Sequence, residues 1–432
     1  MPRLPPLAPP DVPQTDHPMR AAVNQPPGFV GEKAPTAGVY VHFPWCLAKC
    51  PYCDFVSYAT PRENIDHGAY ADAVLRELSA RTALCDGRRM ETVFFGGGTP
   101  SLWEARSIAR VIRQIRIQLA CSEELEITVE CNPTSLDEQT ARALVDAGVN
   151  RVSIGVQSLD DARLRTLGRL HDAAGGRRAV RDALRAGVPR VSGDLIFGLP
   201  GQTPETARDE ALALVDLGVR HLSCYQLTIE PRTRFGELAR RGRLPLADEG
   251  AVAESFLAID EALGLRGFRH YEVSNYAQSG EEARHNLGYW RGDEYLGLGC
   301  AAVGFARIDE KGGEARGIRW RNAAEPETYV DATRSAREDS AAASCGHPTA
   351  ESMEPLDAQT LLRERIMLGL RVDEGFDLEA AARSLCVPGW TPGRTRAAAW
   401  LEERHRIVRE GGRVRVPRAA WLWTDDTSAR LF

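Results

Sequence analysis

No run in the sequence approaches the ~20 apolar residues that a membrane-spanning helix needs. The first residues also lack the basic-then-apolar pattern of a secretion signal. Positive charge is not in excess: 54 Lys and Arg stand against 60 Asp and Glu, for a net charge of −6. A polyanionic partner is thereby disfavoured, and no nucleic acid is expected. Cysteine is too sparse for a disulfide scaffold, with 10 in 432 residues. Seven of these, Cys85, Cys121, Cys131, Cys224, Cys300, Cys345 and Cys386, stand singly and read mostly as small core residues. Cys300 could also ligate iron, although its neighbours read as a buried strand. Residues 1–36 hold ten of the 26 prolines and few large apolar side chains, so they read as a disordered or extended arm. Asp11, Asp16 and Glu32 interrupt that arm and set it apart from a cationic transit peptide.

The remaining three cysteines are the informative ones. Cys46, Cys50 and Cys53 fall in the run Tyr40-Val-His-Phe-Pro-Trp-Cys-Leu-Ala-Lys-Cys-Pro-Tyr-Cys-Asp-Phe55, a C-x3-C-x2-C spacing directly after a short apolar strand. Three thiolates can hold three irons of a 4Fe-4S cube and leave the fourth without a protein ligand. An open iron suits a small chelating ligand, such as the amino acid end of S-adenosylmethionine (SAM). Zinc is the alternative, but tetrahedral zinc draws on paired C-x2-4-C units, and no second pair follows. Exposed cluster iron calls for a reducing compartment, so a cytoplasmic location is expected.

An internal repeat organises the first two thirds of the chain. Ala147-Gly-Val-Asn-Arg-Val-Ser153 recurs as Ala186-Gly-Val-Pro-Arg-Val-Ser192 and, more loosely, as Leu217-Gly-Val-Arg-His-Leu-Ser223. Each glycine follows an amphipathic stretch and can end a helix in a left-handed conformation. The spacing predicts single strand-and-helix units, with strands at Val39–Phe43, Thr92–Phe95, Leu125–Glu130, Arg151–Val156, Arg190–Phe197 and His221–Thr228. Near-continuous apolar runs separated by helices imply a parallel sheet. Six units make an open, partial (β/α)6 barrel, whose chemistry belongs at the C-terminal strand ends.

Motifs stand at those ends. The first strand leads into the cysteine loop, and the second into Phe95-Gly-Gly-Gly-Thr-Pro100, where glycines let backbone approach a ligand. The third ends in Glu130-Cys-Asn-Pro133, with a helix cap as the plainer role for Glu130, and the fourth in Gly155-Val-Gln-Ser158. The fifth carries Asp194 inside an apolar run, and a buried carboxylate there requires a hydrogen-bond donor.

This ordered set resembles the oxygen-independent coproporphyrinogen III oxidase branch of the radical SAM superfamily, from about Gly38 to the C-terminus. The resemblance implies that Cys46, Cys50 and Cys53 ligate the cluster and that Tyr40, Gly97, Gly98, Thr99 and Glu130 contact SAM. It further implies that Tyr52, Gln157, Arg169 and Asp194 match positions that, in the oxidase, contact a second SAM. The oxidases continue the motif to a fourth cysteine, and here that position is Phe55. This departure and His285-Asn-Leu-Gly-Tyr-Trp290 resemble the HemW family of heme chaperones. Tyr225-Gln-Leu-Thr-Ile-Glu-Pro231, Tyr271-Glu-Val-Ser-Asn-Tyr276 and Glu364-Arg-Ile-Met-Leu-Gly-Leu370 resemble it too. Two positions depart from that family: Arg232 stands where Glu-Pro-Gly-Thr is usual, and Val303 where Gly-Ala-His is usual.

The implied function is heme binding and delivery to heme-accepting proteins, among them membrane-bound respiratory enzymes, with a homodimer as one assembly. His285 is the candidate heme-contacting imidazole, with a packed core residue as its plainer role, and His42 is expected to support the cluster loop from behind. The alternatives are porphyrinogen decarboxylation, against which Phe55 argues, and radical methyl transfer, against which H-N-x-x-Y-W argues. The expected domains are the arm at 1–36, the partial barrel and its extension at 37–300, a connecting strand and loop region at 301–355, and a helical, winged-helix-like unit at 356–432. Within them, 331–355 reads as a long loop, Gln359–Leu370 as a helix, and Ile407–Val416 as a hairpin.

Overall fold

The computed structural model describes residues 35–308, 315–335 and 349–432. The Pro-rich arm and Cys345 therefore lie outside the described residues, apart from Pro35 and Thr36. Six strands run parallel in chain order: β1 (Thr36–Phe43), β2 (Arg89–Gly97), β3 (Cys121–Cys131), β4 (Arg151–Gln157), β5 (Arg190–Phe197) and β6 (His221–Gln226). Helices connect them, giving the six-unit partial barrel that the repeat predicts.

The repeat glycines act as their pattern requires. The helix Glu138–Asp146 ends at Gly148, whose φ of +99° is left-handed. Gly148 N–H donates to the Val145 carbonyl, and Val149 N–H reaches back to Leu144. Gly187 and Gly218 end the helices Ala173–Arg185 and Pro204–Asp216 in the same conformation. The opposite helix ends are capped by Asp137, Asp172 and Thr203, each accepting a backbone N–H three residues on.

The sheet is larger than expected, with twelve strands. The added strands are β7 (Arg269–Glu272), β8 (Asn275–Ala277), β9 (Glu294–Leu298), β10 (Val303–Arg307), β11 (Ala315–Asn322) and β12 (Ala350–Asp357). Their order is β12-β11-β10-β9-β1-β2-β3-β4-β5-β6-β8-β7. β9 pairs parallel to β1, and the remaining additions are antiparallel. One sequence expectation is corrected here. Residues 331–335 continue the helix Pro326–Ser335 and 350–357 form β12, where a loop over 331–355 is expected; 336–348 lie outside the described residues. β12 is an edge strand with only Leu356 buried, so it shows no hydrophobic alternation to read. Cys300 is fully buried in the turn between β9 and β10, the strands that flank it.

The C-terminal residues gather around a separate core that includes Leu362, Ile366, Leu370, Leu401 and Trp421. The expected helix is Ala358–Gly369, and the expected hairpin is Val408–Glu410 with Arg413–Arg415. Phe376–Asp377 adds a third short strand to the hairpin. Among the described residues no helix is long and apolar enough to cross a membrane.

A buried polar cluster joins the barrel to its extension. On the helix His67–Arg81, Glu77 and Arg81 pair at 2.9 Å with both side chains fully buried. Glu77 also accepts from Gly299 N–H, Tyr329 Oη and Asn322 Nδ2, while Arg81 donates to Asn322 and Thr349. Removing one partner of such a pair strands a buried charge, at a cost of about 3–5 kcal/mol. Arg81→Met is therefore expected to lower the unfolding free energy by that amount, read as a lower urea midpoint by circular dichroism. Glu77→Gln/Arg81→Met, which leaves no unpaired charge, should lose less; an unchanged midpoint in Arg81→Met would show the pair to be neutral.

Candidate functional site

The chain leaves β1 through Pro44 and forms a loop whose base is closed by two short parallel strands, Trp45–Cys46 and Tyr58–Ala59. Tyr58 N–H donates to the Pro44 carbonyl and Thr60 N–H to that of Cys46. Lys49 Nζ ties the loop to itself through the carbonyls of Phe55 (3.1 Å) and Ser57 (3.3 Å). Cys46, Cys50 and Cys53 all line one cavity of about 560 Å³ at the C-terminal ends of the barrel strands. Burial pushes the Cys53 thiol up to about 11 and the Cys46 thiol above its usual range. Thiols so placed ionise when a metal coordinates them.

His42 supports this loop from beneath. Its ring is buried, and burial lowers its pKa to about 4, so the imidazole is neutral. Nε2 lies 2.9 Å from the Val56 carbonyl, which can only accept, so the proton sits on Nε2. Nδ1 then accepts from the Tyr40 hydroxyl at 3.0 Å. Gly97 covers the ring with φ of +111°, and a Cβ there would lie 2.5 Å from the imidazole. A Cβ on Gly98 would lie 2.7 Å from the Trp45 carbonyl. Backbone bonds from Gly98 and Thr99 N–H to the Phe43 and Trp45 carbonyls close this strand end, and Thr99 Oγ1 donates to Cys46 Sγ at 3.3 Å.

Across the cavity, Glu130 at the end of β3 accepts from Gly97 N–H at 3.1 Å. Burial, reinforced by the nearby Asp194 carboxylate, raises its pKa from 4.5 to about 8. Asp194 meets the expected donors: Ser153 Oγ lies 2.8 and 3.0 Å from its two oxygens, and Ser223 adds a further hydrogen bond. Its pKa is raised by burial. Arg169 donates to the Gly155 carbonyl at 2.8 Å and to Cys50 Sγ at 3.5 Å. Gln157 ends β4 with φ of +66°, a strained conformation for a non-glycine residue. Tyr52 completes this side, its phenol raised by burial.

All but one of the candidates thus meet at one cavity. His285 does not line it: the ring is buried, stacked on Phe94 at 5.0 Å, with Nδ1 at 2.7 Å from Thr92 Oγ1 and Nε2 at 3.0 Å from Tyr289 Oη. Both nitrogens are engaged, and burial lowers its pKa to about 3. Its motif neighbours Asn286 and Tyr289 do line the cavity. Val303 opens β10 opposite Arg321 and is not among the cavity-lining residues. Sequence reasoning missed Thr128, Ser153 and Ser223, which share the inward faces of strands that carry motif residues.

The cavity fits a polar ligand. Arg169 Nε, Thr128 Oγ1 and His221 Nδ1 line it and are buried without a hydrogen-bond partner, and the half-buried carboxyl groups of Glu130 and Asp194 face the same space. With three thiols at the rim and glycines where a side chain would clash, the residues suit both a cluster and a zwitterionic cofactor.

Residues 40–214 match the radical SAM superfamily and 356–423 the HemN C-terminal domain. The fold and the cysteine loop define a radical SAM protein, whose cofactors are a 4Fe-4S cluster and SAM. Heme chaperone HemW of Haemophilus influenzae is 40% identical over 276 residues, 63% of this chain and 71% of that protein. That of Mycobacterium tuberculosis is 33% identical over 361 residues, 83% and 87% of the two chains. The chain belongs to the HemW family. Its structure also superposes on coproporphyrinogen III oxidase HemN of Escherichia coli with a TM-score of 0.74, covering 92% of this chain and 90% of that one at 19% identity, a likeness of fold.

Because the folded state raises the Glu130 pKa, its contribution to stability is complete below about 4.5 and is lost as pH climbs to about 8. Glu130→Gln is therefore expected to gain thermal stability relative to the unaltered protein across that window, with the difference levelling off above it. A difference independent of pH would refute the assignment.

Proposed function

We infer that the protein is a heme chaperone: it binds heme and hands it to acceptor proteins, with a 4Fe-4S cluster and SAM as resident cofactors. We assign Cys46, Cys50 and Cys53 to the cluster. The iron left open supplies a coordination position for a small chelating ligand. Tyr40, Gly97, Gly98, Thr99 and Glu130 would take the amino acid end of SAM. Gly97 and Gly98 leave room for it, Glu130 offers a carboxylate to its ammonium, and the Tyr40 oxygen keeps lone pairs free because its proton is given to His42. Tyr52, Gln157, Arg169 and Asp194 form the continuation of the same cavity, where Arg169 presents its unpartnered Nε to an anionic or carbonyl group.

The observation that carries the chaperone reading is the loop itself, in a chain of the HemW family. Phe55 occupies the position of the oxidases' fourth cysteine, and it is 61% exposed at the rim of the cavity. The cytoplasm is the compartment we propose, since exposed cluster iron needs reducing surroundings. Membrane-bound respiratory enzymes are the proposed acceptors, and a homodimer the proposed assembly through which cluster or SAM state biases heme holding. His285 enters as the motif imidazole. To meet heme iron it would have to give up its hydrogen bond to Tyr289 or Thr92.

An anaerobic heme titration of the cluster-reconstituted protein, followed by visible absorption, tests the reading, with His285→Ala alongside. Saturation near one heme per chain with a shifted Soret band is expected. Absence of saturable binding would overturn it and make coproporphyrinogen decarboxylation the next assay. A spectrum altered in His285→Ala would place the motif at the iron. Separately, Cys50→Ala is expected to lose the brown cluster absorbance after reconstitution; a retained 4Fe-4S spectrum would remove Cys50 from the ligand set.

A further inference from the structure

The cysteine loop is a wall with two sides. Its inner side faces the SAM cavity, and its outer side bounds a separate open groove of about 930 Å³. That volume falls in the roughly 300–1,000 Å³ range of small-molecule sites. The groove's floor is apolar, with Phe235, Leu238 and the exposed ring of Phe55. Its rim is cationic: Lys49, Arg165, Arg232 and Arg234 line it against one acid, Asp54. Lys49 is spent on loop carbonyls. The three arginines are exposed, and among the described residues none makes a side-chain hydrogen bond, ion pair or ring contact.

We propose that this groove, outside the barrel, seats heme, with the arginines holding its propionates and Phe55 lying against the macrocycle. The proposal rests on the heme-chaperone reading and deepens it. A flat apolar ring bearing two carboxylates matches an aromatic floor with an unpaired arginine rim, because guanidinium binds carboxylate in a bidentate fork and aromatic faces stack. The two positions that set this chain apart, Phe55 from the oxidases and Arg232 from its own family pattern, both line the groove. No histidine lines it. A ligand held by its rim without an imidazole on the iron is suited to being passed on.

The test is heme titration of the full chain, with and without the cluster. Arg165→Glu/Arg232→Glu/Arg234→Glu is compared with a control of equal charge change on exposed helix positions, Arg113→Glu/Arg116→Glu/Arg181→Glu. The groove variant is expected to raise the Kd roughly tenfold or more while the control does not. Heme dimethyl ester should bind the unaltered protein correspondingly more weakly than heme, an arm that depends on no variant. Unaltered binding in the groove variant, an equal loss in the control, equal affinity for the ester, or a heme spectrum altered in His285→Ala would overturn the groove while leaving heme binding intact. Failure of the unaltered protein to bind heme would instead overturn the chaperone reading.

Discussion

One imidazole holds the site together. His42 is neutral because it is buried, and neutrality leaves it one donor and one acceptor. The donor fixes the cysteine loop at Val56, and the acceptor orients the Tyr40 hydroxyl. The ring also fills the space that Gly97 leaves by having no side chain. Three pieces far apart in sequence therefore depend on one side chain: the loop, the glycine turn and the β1 tyrosine. A larger residue at Gly97 would push on His42 and, through Val56, on the loop that carries the thiols.

The second constraint is the cost of polar groups inside the barrel. Glu130 and Asp194 both lose water around their carboxyl groups, and the Asp194 carboxylate adds to the cost of ionising Glu130. The sheet offsets part of this with hydrogen bonds that cross neighbouring strands: Ser153 from β4 and Ser223 from β6 flank Asp194, and Gly97 from β2 serves Glu130. The register makes this possible, since Asp194 pairs with Gly155 on one side and Ser223 on the other. What remains uncompensated is the unpartnered Arg169 Nε and the raised carboxyl pKa values. These are groups that a zwitterionic ligand satisfies.

The same period-two geometry explains how much was legible beforehand. The six parallel strands were readable because their buried runs are apolar on both faces and their helices end in repeat glycines. The cysteine loop and the motif residues at the strand ends were readable because their chemistry is concentrated in short stretches. Thr128, Ser153 and Ser223 were not, although each sits two residues or a strand register from a motif residue; alternation out from Asp194 and Glu130 would have found them. β9 and β12 were missed for a different reason. Glu294–Leu298 is five residues long, and Ala350–Asp357 is mostly exposed, so neither shows a pattern that survives without its partner strand. The state of His285 was also beyond the sequence, because a motif names a histidine but not what its two nitrogens already hold.

The loop's two-sidedness joins these constraints to function. A wall shared by the cofactor cavity and an outer groove lets events on one face be felt on the other without a distant relay, since Cys50, Cys53, Asp54, Phe55 and Ser57 border both spaces. Cargo on the outer face stays open to an acceptor, whereas a ligand deep in the barrel would need the strand ends to part. His42 and Lys49 hold the loop backbone at Val56, Phe55 and Ser57, so the position of Phe55 follows the state of the loop. An arrangement of this kind separates holding from release. The arginine rim sets affinity, and the loop, answering to the thiols on its inner face, sets how well the aromatic ring meets the macrocycle.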